Sequence, residues 1–92
     1  MRYRIFKVSA KSIDGHPSNL VAGTKMQFLG YTSPDSIEEA RLSLKRAAEI
    51  CKVEITEIVL NAEYSGIDEV KEPMTKRWLH ESEALGARLY TY

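Results

Sequence analysis

Few side chains in this sequence are suited to acid–base or nucleophilic catalysis. The chain contains two histidines, His16 and His80, and a single cysteine, Cys51. Such catalysis needs a base and a nucleophile that converge in one pocket. The histidines are far apart in sequence, and Cys51 falls on the apolar stripe of a predicted helix, where a buried thiol is expected. We therefore expect no enzyme activity, no catalytic residues and no cofactor.

Three polar residues stand at alternate positions of one predicted strand, namely Glu57, Asn61 and Glu63. Their side chains would share one face, but neighbours on a strand face are about 6–7 Å apart. That spacing is too wide for shared ligation of a divalent cation without help from other elements. One cysteine also excludes a cysteine-based zinc site within the chain. We expect no metal site and retain these residues as candidates for binding.

Aromatic and basic residues near the chain ends suggest two kinds of ligand. Near the start they interleave along one strand, as in Arg2, Tyr3, Arg4, Phe6 and Lys7. Surfaces that stack the bases of single-stranded nucleic acid combine basic and aromatic side chains in this way. A net charge of zero, however, does not favour such a partner. Near the other end, stacking on a flat small molecule or nucleotide between subunits is the alternative. Its candidates are Tyr31, Trp78, Arg88, Tyr90 and Tyr92.

Composition indicates one globular domain spanning residues 1–92, with 43% hydrophobic and 28% charged residues. No apolar run approaches the roughly 20 residues of a membrane helix, and the first residues do not resemble a signal peptide. One cysteine fits a reducing, cytoplasmic setting. Charge is uneven, because residues 1–31 carry five basic groups against one acidic group and residues 32–72 carry five against ten. A dipolar molecule of this kind favours self-association or a charged protein partner.

Apolar periodicity predicts four strands and two helices. Strands are expected at 2–10, 20–31, 53–64 and 87–92, with a loop at 11–19 that closes a hairpin between the first two. The first helix, about 34–51, has two alternative starts, one with Ser33 as N-cap before Pro34 and one with Ser36 and Glu39 as a capping box. The second helix is expected at about 73–85, beginning at Pro73 and stopping before Gly86.

These elements predict an α+β fold in ββαβαβ order. If strands pair sequentially, the four-stranded sheet is mixed and both helices lie on one face, which gives a two-layer sandwich. The opposite face would then be bare. Its expected residues are Lys25, Gln27, Leu29, Tyr31, Ile55, Glu57, Val59, Asn61 and Glu63. Such a mixed surface either meets water or binds a partner.

The stretch 32–40, which leads into a helix and then a strand, superficially resembles the dodecins and many small phage-encoded proteins. Together with that helix and strand, the resemblance covers about a third of the chain. Dodecins lack a hairpin such as the one predicted over residues 2–31, so the resemblance transfers no residue roles and no flavin.

The function expected from these observations is a small non-enzymatic protein-binding module. It would act through its exposed sheet face or edge on a protein partner or on a second copy, for example as a regulator or inhibitor of a larger protein. Phages and mobile elements encode small modules of this kind. The alternatives are an oligomeric small-molecule or nucleotide-binding protein and a single-stranded nucleic-acid-binding domain. The candidate binding residues are Lys25, Gln27, Tyr31, Glu57, Asn61, Glu63, Arg88 and Tyr90.

Overall fold

A computed structural model of the protein describes residues 2–13 and 22–91. The predicted α+β class and ββαβαβ order are confirmed. The loop predicted around His16, the first residues of the second predicted strand and Tyr92 lie outside the described residues. The elements are β1 (Tyr3–Ser12), β2 (Lys25–Thr32), α1 (Ile37–Ile50), β3 (Val53–Tyr64), a short 3-10 turn (Ile67–Glu69), α2 (Pro73–Ser82) and β4 (Ala87–Thr91).

The sheet has the strand order β3-β1-β2-β4, and each neighbouring pair is antiparallel. The predicted hairpin of β1 and β2 is confirmed, but the prediction of a mixed sheet is wrong. Strands β2 and β3 do run in the same direction, yet β1 lies between them because the connection through α1 crosses over β1. The last strand then joins the far side of β2 instead of pairing with β3.

The two helices lie on opposite faces of this sheet. Phe6, Val8 and Phe28 pack with Leu44 of α1 in one core cluster. A second cluster joins Tyr3, Ile5 and Tyr31 to Leu79 of α2. Since successive residues of a strand point to opposite faces, these clusters occupy different sides. The prediction of two helices on one face, as a two-layer sandwich, is therefore wrong. The physical reason is β1, a central strand whose consecutive residues 3–6 are all buried, so it requires cover on both sides.

Two register shifts divide β3 into segments that face different ways. The shifts fall opposite Ile5/Phe6 and Ser9/Ala10, where Asn61 and Thr56 are the extra residues of β3. Each extra residue reverses the faces of the residues beyond it. Ile55 and Glu63 therefore lie on the α1 face, opposite Ala10 and Arg4, whereas Glu57 and Val59 face the other side. The prediction that Ile55, Glu57, Val59, Asn61 and Glu63 share one bare face is wrong for this reason.

Local capping sets the start of α1. Of the two predicted N-caps, Ser36 is the one observed: its Oγ accepts hydrogen bonds from the backbone N–H groups of Glu38 at 3.1 Å and Glu39 at 3.3 Å. Ser33 is buried, and its Oγ donates to the carbonyl oxygen of Ser82 at 3.4 Å. The segment between β2 and α1 therefore provides the N-cap of α1 and also a hydrogen bond to the last residue of α2.

Candidate binding surface

Helix α2 covers only part of its face of the sheet. It packs near Tyr31 and Tyr90, at the end of the sheet formed by the end of β2 and by β4. The other end of this face carries side chains that are exposed or half-buried. We call this surface the open face. Its residues, taken from β1, β2 and β3, are Lys7, Ser9, Lys11, Lys25, Gln27, Glu54, Glu57 and Val59.

Ser9 lies at the centre of the open face. It stands opposite Gln27 on β2 and opposite Glu57 on β3. The Gln27 Nε2 donates to the Ser9 Oγ at 3.4 Å, and the Thr56 Oγ1 donates to the Ser9 carbonyl oxygen at 3.1 Å. These residues line a shallow groove of about 470 Å³. The structure thus brings together three of the predicted binding residues, counting Lys25 at the margin of the same groove.

The open face carries three lysines and two glutamates, so its net charge is positive. Lys11 stands directly opposite Lys25, and its Nζ lies 4.0 Å from the Oε2 of Glu54. Within residues 2–13 and 22–91, Lys7 and Lys25 form no ion pair shorter than 4.0 Å. Val59, which is 48% exposed, lies opposite Lys7 and adds apolar area beside these cations. A surface of this kind favours an acidic partner with some apolar contact.

Three predicted binding residues instead belong to a cluster at the α2 end of the sheet. The ring centroid of Trp78 lies 4.7 Å from that of Tyr90 and 5.3 Å from that of Tyr31. The Tyr90 hydroxyl donates to Glu81 Oε2 at 2.6 Å, and Arg88 lies over the Tyr90 ring at 5.5 Å. Burial raises the pKa of both Tyr31 and Tyr90. Because the rings contact one another, the cluster gives little support to stacking of a flat ligand there.

The remaining two predicted residues lie away from Glu57. Glu63 faces α1 and accepts a hydrogen bond from the Arg4 Nε at 2.8 Å and one from the Arg2 Nη1 at 3.3 Å. Asn61 is the exposed extra residue of a bulge. The predicted row of Glu57, Asn61 and Glu63 along one face therefore does not form, because the bulge at Asn61 separates the two glutamates onto different faces.

His80 and Cys51, the residues considered for nucleophilic or acid–base chemistry that lie in the described part of the chain, do not converge. His80 is exposed on α2, with its Nδ1 3.3 Å from the Oε2 of Glu83. Cys51 is half-buried at the end of α1, and burial raises the pKa of its thiol. Among residues 2–13 and 22–91, no group of three His, Cys, Asp or Glu residues is placed to hold a metal ion.

The basic and aromatic residues of β1 do not form a stacking surface. Tyr3 and Phe6 are both buried, and they lie in different clusters on opposite faces of the sheet. Arg4 is only 5% exposed and donates to the carbonyl oxygens of Pro34 and Asp35. Only Arg2 and Lys7 of this set are exposed, which leaves little support for a strand that reads single-stranded nucleic acid.

Sequence analysis did not place four residues on the open face, namely Lys7, Ser9 and Lys11 of β1 and Glu54 of β3. For the three residues of β1 the available signal was their period of two, since residues 7, 9 and 11 of a strand share a face. The prediction that the loop begins at residue 11 hid this pattern, whereas β1 continues to Ser12.

Comparisons with known proteins add no information on function. No family model, curated protein or solved structure matches this chain. In the described part of the chain, no helix is long and apolar enough to cross a membrane.

Proposed function

We propose that this protein is a non-enzymatic protein-binding module that recognises an acidic protein surface through its open face. The observation that carries the proposal is the group of three lysines, Lys7, Lys11 and Lys25, on the open face that α2 leaves uncovered, where Lys11 and Lys25 line the groove. Polar groups in the groove, such as Gln27 and Ser9, would fix the register of a partner, and Val59 would supply apolar area. In this role the protein regulates or inhibits a larger protein in the cytoplasm.

The unfavourable arrangement of charge supports this proposal. Like charges placed directly opposite each other on neighbouring strands are destabilising, and Lys11 and Lys25 are such a pair. An acidic partner would relieve this repulsion when it binds. Long-range attraction would also accelerate association and make its rate depend on ionic strength.

Photo-crosslinking from a defined position tests the proposal. A benzophenone amino acid at position 27, within the open face, should give a discrete adduct with a partner protein in producing cells. The same probe at position 46, on α1 and on the other side of the sheet, is the matched control. The double substitution Lys7→Glu with Lys25→Glu should abolish the adduct from position 27. Equal adducts from both positions, or an adduct that survives both charge reversals, would contradict the proposal.

A further inference from the structure

An apolar groove lies between α1 and the edge strand β4, on the opposite face of the sheet from α2. Its volume is about 300 Å³. Two of its side chains are unusually bare for their type, since Ile50 is 67% exposed and Leu85 is 68% exposed. We call this surface the α1–β4 patch. Its apolar residues are Ala47, Ile50, Cys51, Leu85, Ala87 and Leu89.

The two edges of the sheet differ in their protection against pairing. Proteins protect edge strands with charged side chains and bulges. The outer strand β3 has both: it contains Glu54, Glu57 and Glu63 and is interrupted by two register shifts. Strand β4 has one charged residue, Arg88, and pairs with β2 without a register shift. Among the described residues, no strand pairs with the outer side of β4. Of the two edges, β4 is therefore the one left open to pairing.

We propose that a second copy of this chain pairs with β4. The two strands would run antiparallel about a two-fold axis at Leu89, so that Leu89 stands opposite its own counterpart. This register places Arg88 opposite the partner's Tyr90 and Ala87 opposite the partner's Thr91. Arginine and tyrosine are a favourable pair, because a guanidinium is attracted to an aromatic ring. An axis at Arg88 would instead place two guanidiniums opposite each other, which is unfavourable.

Self-complementarity is the reason to assign the site to a second copy. In a two-fold interface the same patch serves both partners, and every pair in this register is apolar, small or complementary. The result is one continuous eight-stranded sheet in which both α1 helices lie on the same face. Ile50 and Leu85 would then be covered, and burying large apolar side chains stabilises the assembly. The open face lies toward the other edge of each sheet and stays available, so the dimer does not depend on the proposed function.

Sedimentation velocity across a concentration series tests the dimer on the full chain. We expect a reversible monomer–dimer equilibrium. Ile50→Glu and Leu85→Glu should each weaken dimerisation by about tenfold or more, since each would bury a charge in the apolar interface. Leu60→Glu is the matched control and should leave the equilibrium unchanged, because Leu60 is an apolar residue, 42% exposed, on the opposite edge strand and outside the open face. Circular dichroism of each variant would show that the fold is retained.

A cysteine placed on the proposed axis tests the register. In a Cys51→Ser background, Leu89→Cys should form a disulfide-linked dimer when oxidised glutathione is supplied, because facing residues of paired strands have Cα atoms within disulfide range. Leu60→Cys in the same background should not. A strict monomer at every concentration, a dimer indifferent to Ile50→Glu and Leu85→Glu, or equal cross-linking from positions 89 and 60 would each overturn the proposal. None of these results bears on the cross-link from position 27, so the two proposals fail separately.

Discussion

Lys11 and Lys25 stand directly opposite each other on the hairpin formed by β1 and β2, with both side chains exposed on the open face. This pairing works against the hairpin, because facing like charges repel. Glu54 compensates in part from β3, where its Oε2 lies 4.0 Å from the Lys11 Nζ. Charge at this end of the sheet therefore costs stability, which agrees with the acidic partner that we propose.

Replacing one lysine of the pair should stabilise the protein. We expect Lys25→Gln to raise the free energy of unfolding by about 0.5 kcal/mol or less at low ionic strength, and we expect high salt to remove this gain. Urea denaturation at two salt concentrations would measure it. Lys71→Gln, an exposed lysine outside the strands, is the control and should show no such gain. A loss of stability in Lys25→Gln would contradict the repulsion.

Arg4 should be far more important for stability than its neighbour Arg2. Its buried guanidinium bonds to Glu63 and to the carbonyl oxygens of Pro34 and Asp35. Arg4→Ala should lower the free energy of unfolding by about 2–4 kcal/mol, since it leaves partly buried acceptors without their donor.

Arg2→Ala is the matched control, because Arg2 contacts the same carboxylate from a side chain that is 46% exposed. It should cost less than about 1 kcal/mol. Chemical denaturation of both variants gives the comparison. Similar losses in the two would show that burial of the Arg4 guanidinium is not the source of the effect.

Tyr3 should make stability fall at high pH. The hydrogen bond that its hydroxyl donates to Glu83 at 2.6 Å, together with burial, raises the pKa of Tyr3 from its usual 10.0 to about 12. Between these values the folded protein holds a proton that the unfolded chain has lost. Stability from this group is therefore fully present below pH 10 and is lost as the pH rises toward 12.

Unfolding measured at several alkaline pH values would test this slope. Tyr3→Phe should flatten it, and Glu83→Gln should reduce it because the negative acceptor is gone. The phenolate absorbance of the folded protein should also lose its latest-titrating component in Tyr3→Phe. An unchanged slope in that variant would mean that other groups govern the alkaline behaviour.

Gly30 has no room for a side chain. A methyl group added there would lie 2.5 Å from the Cδ2 of Leu44, which is fully buried and cannot move aside freely. Gly30→Ala should therefore cost about 1–3 kcal/mol of stability through overpacking between β2 and α1. Gly66→Ala is the control, because its backbone is extended and an added methyl group would contact nothing within 4 Å. Thermal unfolding should separate the two variants, and equal midpoints would exclude this close contact.

Local patterns were sufficient to predict the elements. The predicted span 53–64 coincides with β3, and the remaining helices and strands differ from prediction mainly at their ends. The start of α1 at Ser36 was one of the two alternatives that capping chemistry offered. These features depend on residues close together in the chain, so periodicity and capping report them directly.

The candidate site was predicted only in part. Lys25, Gln27 and Glu57 do meet on the open face, because β2 follows simple alternation and Glu57 lies between the two bulges of β3. Glu63 fell on the other face because its position depends on the extra residue at Asn61. The prediction places Tyr31 on the bare face and Tyr90 in a stacking site between subunits, yet α2 packs over both. The alternation of residues along a single strand predicts neither the bulge at Asn61 nor the position of α2.

The sequence by itself determined the order, type and approximate length of the helices and strands, since short-range backbone preferences and apolar spacing decide these. Tertiary structure alone decided that β1 is central, that the helices occupy opposite faces and that β3 reverses its faces twice. Those outcomes depend on which distant strands pair and on how two separate apolar clusters are covered at once. The open face is the part of the sheet that neither helix covers, so it can be identified only in the folded chain.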